Sequence, residues 1–93
     1  PSILGAALSL FSKKRYSLDI MTDLNRQFLL FLGKNIRRLR EHRNISQEEF
    51  GEIVGVHRTY VGMIERGEKN ITIFSLRKFA EALGVRVKDL IDF

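Results

Sequence analysis

The spacing of apolar residues along the chain predicts helices rather than strands. Ile36 and Leu39 fall on one side of a helix over residues 29–43, whose basic last turn suits the negative end of the helix dipole. Ser46, with Glu49 three positions on, forms the pattern of a capping box and opens a second helix over 47–54, which Gly55 stops. A third helix covers about 57–66 and ends at Gly67, the usual left-handed terminator. Thr72 is placed to cap a fourth over 73–83, where Leu76, Phe79, Ala80 and Leu83 share a face and Gly84 ends the helix. A short fifth helix, about 87–91, closes the chain. The one alternating stretch, NITIFSL, is too brief to compete, and the sole proline is Pro1. The expected fold is therefore all-α, a compact five-helix domain over 29–93 preceded by an extension or arm over 1–28. Within that arm, SKKRYSLDIMTDLNRQF has the pattern of an additional amphipathic helix leading into the first, and the internal Met21 leaves open an upstream extension.

Charge adds a direction. The net charge of +5 favours a polyanionic partner, but it is unevenly spread. Nine Lys or Arg lie between Lys13 and Arg43 against Asp19, Asp23 and Glu41, whereas from Ser46 to Asn70 five glutamates outnumber Arg58, Arg66 and Lys69. If the middle segment binds DNA, it does not do so by bulk charge. The absence of cysteine excludes a disulfide framework and thiolate metal sites, and two isolated histidines make no metal centre. No nucleophile–base pair or phosphate-cradling glycine loop is present, so neither catalysis, a cofactor nor a small-molecule ligand is expected. No apolar run approaches the roughly 20 residues that span a bilayer. The apolar start ILGAALSLF precedes its positive charges, the reverse of a secretory signal, so the expected location is cytoplasmic.

The corner between the second and third helices carries the functional signal. Only Gly55 and Val56 separate them; Gly55 accepts a positive φ, and Gly51 one turn earlier permits close backbone approach. Phe50, Val54, Val56, Val61 and Ile64 fall on the enclosed side, as in a helix-turn-helix. An ordinary αα-hairpin needs the apolar spacing but not all of these positions at once. At about 100° per residue, placing Val61, Ile64 and Glu65 inward turns Thr59, Gly62, Met63 and Arg66 outward, with Arg58 in the exposed first turn. The helix end that enters a major groove presents its N-terminal residues to the bases. Arg58 can take guanine O6 and N7, Thr59 can use its hydroxyl or touch a thymine methyl, and Met63 offers an apolar contact. Tyr60 either reads a flexible step, meets a phosphate or packs on the second helix. Gly62, on the outward side, is expected to allow close approach to DNA.

The stretch IRRLREHRNISQEEFGEIVGVHRTYVGMIERGEKNITIFSLRKFAEALGV resembles the helix-turn-helix domains of the phage lambda repressor and Cro class. Within that class, RTYVGMIERGEKNITI is similar to the controller proteins of restriction–modification systems, which share an Arg-Thr-Tyr at the start of the recognition helix. The resemblance implies a dimeric regulator of transcription whose partner is double-stranded DNA carrying a palindromic operator. It implies base contacts from Arg58, Thr59, Tyr60 and Met63, and backbone contacts from Gln47, Arg66, Lys69 and Asn70. It also implies an ion pair between Arg40 and Glu65, with a solvated Arg40 as the alternative. His57 departs from the pattern, since controller proteins tend to carry aspartate there, a better N-cap. The apolar end, Val87, Leu90, Ile91 and Phe93, is the candidate dimer interface; alternatively it caps the monomer core and the N-terminal arm does the pairing. A function of another class, an antitoxin or protein-interaction module on the same fold, is kept open by the apolar character of residues 1–32.

Overall fold

Apolar residues four apart, Leu24, Phe28, Leu32 and Ile36, draw one long helix against the rest of the chain, and that helix organises the domain. A computed structural model describes residues 4–6, which are helical, and 18–93. The helices of the latter segment are α1 (Leu18–His42), α2 (Gln47–Val54), α3 (Arg58–Glu65), α4 (Ile73–Leu83) and α5 (Val87–Leu90). No strand occurs among the described residues. The expected first helix is too short at its N-terminal end: α1 passes through residues 28 and 29 without a break, because neither glycine nor proline interrupts the chain between 18 and 32. Most of the remaining arm, over 1–17, lies outside the described residues.

The other helix boundaries follow local chemistry. Ser46 Oγ accepts the Glu49 amide at 3.0 Å while Glu49 Oε1 accepts the Ser46 amide at 3.1 Å, a complete capping box. Thr72 Oγ1 accepts the Ser75 amide at 3.1 Å at the head of α4. Gly55 takes φ +80°, and both its own amide and that of Val56 donate to the Gly51 carbonyl at 2.8 Å, which closes α2 and turns the chain toward α3.

Phe50 and Phe79 meet edge to face at 5.0 Å in a core completed by Leu32, Ile36, Val61, Ile64, Leu76, Leu83 and Leu90. Asn35 on α1 donates through Nδ2 to the carbonyls of Asp89 and Leu90, at 2.8 and 2.9 Å, and so ties the last turn of the chain to the first helix. This tie alters the expected dimer face. Leu90 has no solvent exposure, and Val87 is half-buried against the same core, so both are occupied inside the monomer. Ile91 remains exposed. Phe93 is half-buried, its ring 5.2 Å from Phe28 and stacked at 5.5 Å on Phe31.

Candidate nucleic-acid interface

The helix α3 is short, so its placement depends on how its two ends are held. At the start, His57 is the N-cap: its Nδ1 accepts the Thr59 amide at 3.0 Å. An imidazole can do this only when Nδ1 carries no proton, which places the ring proton on Nε2. His57→Ala is expected to lower stability by about 1 kcal/mol, and His57→Asp to keep the cap, as read by urea denaturation. At the far end, Gly67 lies against α1, where an added Cβ would stand 3.0 Å from the Leu30 amide nitrogen. Along its length, Val61 and Ile64 are buried in the core. At Gly51 a Cβ would come within 2.6 Å of the Val56 carbonyl oxygen, so the corner closes only around glycine.

Arg58 and Thr59 stand exposed on the first turn of α3, as the helical wheel requires. Met63 is half-buried. Tyr60 is half-buried too, packed against the core with its ring edge-on to Phe79 of α4 at 6.5 Å. Gly62 does not stand open on the outward face. It is buried, covered by the Arg66 guanidinium, whose Nη1 would lie 3.0 Å from an added Cβ, and by the Gln47 amide, whose Oε1 would lie 3.5 Å away. The wheel gave its direction correctly but not the long neighbours that fold back over the gap.

Arg40 and Glu65 form a buried pair: Nε donates to Oε2 at 2.6 Å and Nη2 to Oε1 at 3.0 Å. The hydrogen bond to Glu65 raises the Arg40 guanidinium above its ordinary range, against the opposing effect of burial. Gln47, the first residue of α2, donates through Nε2 to Glu65 Oε1 at 3.0 Å. One carboxylate thus joins α1, α2 and α3, and Gln47's link to it is absent from any sequence pattern. Lys69 and Asn70 are exposed in the loop between α3 and α4. Arg66 is exposed and held by Glu68, Nε to Oε2 at 2.7 Å and Nη2 to Oε1 at 3.2 Å, a partnership that sequence reasoning missed. A looser contact of 3.8 Å joins Arg58 Nη1 to Glu48 Oε2. No helix among the described residues is long and apolar enough to cross a membrane.

Two short helices joined at a glycine corner, with the second presenting a polar first turn, define a helix-turn-helix of the DNA-binding kind. The helix-turn-helix family model HTH_3 matches residues 36–90, and the chain belongs to that family of DNA-binding regulators. Control protein C.SmaI of Serratia marcescens is 45% identical over 60 residues, which span 64% of this chain and 71% of the relative. Control protein C.BamHI of Bacillus amyloliquefaciens is 42% identical over 65 residues, 69% of this chain and 80% of the relative. Among solved structures, the restriction-modification controller protein C.AhdI of Aeromonas hydrophila superposes with a TM-score of 0.65 at 35% identity, covering 67% of this chain and 94% of that one.

Proposed function

We propose that this regulator acts in the cytoplasm as a homodimer that reads a palindromic operator through α3 and, like the control proteins it resembles, governs a restriction–modification operon that includes its own gene. The observation that carries the reading is the exposed pair Arg58 and Thr59 at the capped N-terminal end of α3, where a major groove would meet the helix first. Arg58 reads guanine, with Thr59 and Met63 beside it and Tyr60 at the edge. Gln47, Lys69 and Asn70 grip the sugar–phosphate backbone and set the register.

The second copy docks on the face made by Phe28, Phe31, Ile91 and Phe93. Phe28, Phe31 and Ile91 are exposed although apolar, and Lys34, Arg38 and Asp92 border the same surface. A two-fold contact there brings the cations of one copy to Asp92 of the other, which an isologous interface allows. Val87 and Leu90 support this face from beneath.

Selection of bound sequences from a random duplex pool tests the whole reading. A palindrome with two half-sites about one helical turn apart is the expected product. Arg58→Ala should then weaken binding to the selected duplex by about 1–3 kcal/mol and leave binding to random duplex nearly unchanged. Equal losses on both would remove Arg58 from base readout. The second reading, a protein-interaction module, draws on the strong exposure of Ile73 and Phe74 at the head of α4. It would be favoured by co-purification of a neighbouring gene's product together with no enriched sequence.

A further inference from the structure

The face assigned to DNA is the least basic part of the chain, and its arginines are not free. Arg66 offers five N–H donors, and Glu68 occupies Nε–H and one hydrogen of Nη2. The Nη1 end lies back across Gly62, in the space a side chain would fill. The pair is exposed, yet it is held at both ends: by a bidentate carboxylate and by a notch in its own helix. The hydrogen bond from Arg66 keeps the Glu68 carboxyl below the usual carboxylate range, so Glu68 stays charged at neutral pH. Arg58 has a looser acidic partner in Glu48 at 3.8 Å.

A lysine or arginine standing free on such a face binds any phosphate, and the counterions it releases give affinity without sequence preference. An arginine bound to a carboxylate carries no net charge to its surroundings. To clamp a phosphate it must leave its partner, and it leaves a carboxylate behind near the DNA. Discrimination is a difference of affinities, and it rises when the unwanted complex is penalised.

We propose that Glu68 is a specificity-determining residue: by holding Arg66 against Gly62 it withholds that guanidinium from indiscriminate phosphate binding. The inference rests on the regulator reading above, in which this face meets DNA. Only a complex in proper register, with Arg58 and Thr59 seated on their bases, offsets the loss of the Arg66–Glu68 pair.

The test compares the wild-type chain with Glu68→Gln, Arg66→Ala and the double variant. Each is titrated against the selected duplex and a shuffled duplex of equal composition over a range of salt. Glu81→Gln is the control, since it removes the same charge from another exposed pair, Arg77–Glu81, held at 2.8 Å. Glu68→Gln is expected to tighten binding to the shuffled duplex about two- to fivefold. Its salt slope should steepen by about one, and binding to the selected duplex should change less, so the selectivity ratio falls. In the Arg66→Ala background the substitution should have no more effect than Glu81→Gln. The proposal is overturned if Glu68→Gln weakens binding, if its gain persists without Arg66, if it only matches the control, or if the selectivity ratio is unchanged. Should no sequence be enriched at all, the regulator reading fails on its own, while titration of an arbitrary random duplex still reports whether Glu68 restrains Arg66.

Discussion

Replacing Gly33 with alanine is expected to destabilise the domain by about 3 kcal/mol or more. Helix propensity alone argues the opposite, because alanine inside a helix is favoured over glycine by about 1 kcal/mol. The sign therefore separates two accounts of this residue. Gly33 lies where α1 crosses the last turn of α3, and a Cβ there would overlap the carbonyl oxygens of Ile64 and Glu65 and stand 2.7 Å from the Glu65 carbonyl carbon. These are backbone atoms, which no rotamer change can move aside; the whole helix must shift, and with it Glu65, which anchors the buried ion pair. Gly62→Ala is the matched comparison. It gains the same propensity, and its nearest obstacles are the flexible ends of Arg66 and Gln47, so it should be neutral or stabilising. Urea denaturation of both variants decides the matter. A Gly33→Ala protein as stable as the parent would mean that α1 and α3 are not packed this closely.

The two glycines show what a sequence reveals and what it withholds. A lone glycine within an apolar helical run is a signal of close approach, and Gly33 in LLFLGKNI carries it, although sequence reasoning places close backbone approach at Gly51 and close approach to DNA at Gly62. Helices α2 and α4 were legible to the residue because their signals are local: Ser46 with Glu49, Thr72, and the glycines that end them. The start of α1 was not, since an N-terminal half with mixed polar and apolar residues owes its helical state to the packing of Leu24 and Phe28 as much as to propensity. For the interface, periodicity placed Val61, Ile64 and Glu65 inward and Arg58 and Thr59 outward. It could not show that Arg66 folds over Gly62, that Glu68 holds Arg66, or that Gln47 bonds to Glu65. Each of those contacts is a choice among rotamers made by neighbours brought together in the fold. Leu90 takes the alternative place kept open for the apolar chain end, capping the monomer core, because Asn35 draws the last turn onto α1.

Glu65→Leu and Arg40→Met are each expected to lower stability by about 3–5 kcal/mol, and the Arg40→Met/Glu65→Leu double variant to recover part of that loss. The two side chains are 8% and 1% exposed, so each has surrendered nearly all of its hydration and depends on the other. Removing one leaves a buried charge whose remaining partners are neutral. For Arg40 the remaining partner is the Ile45 carbonyl, which accepts from Nη1 at 2.8 Å; for Glu65 it is the Gln47 amide, which donates through Nε2. Neither offsets a full charge in a low-dielectric site. Replacing both ions with apolar side chains removes both desolvation penalties together, which is why the double variant should exceed either single one. Recovery stays incomplete because the Ile45 carbonyl and the Gln47 amide each lose a hydrogen bond. A double-mutant cycle by urea denaturation measures the coupling, and single losses below about 1 kcal/mol would show that the pair is solvated and incidental. The pair also has a place in recognition under the proposed function: Glu65 fixes Gln47 at the head of α2. The double variant should therefore fold more stably than the single ones yet bind the selected duplex less tightly than the parent, separating the pair's contribution to stability from its contribution to binding.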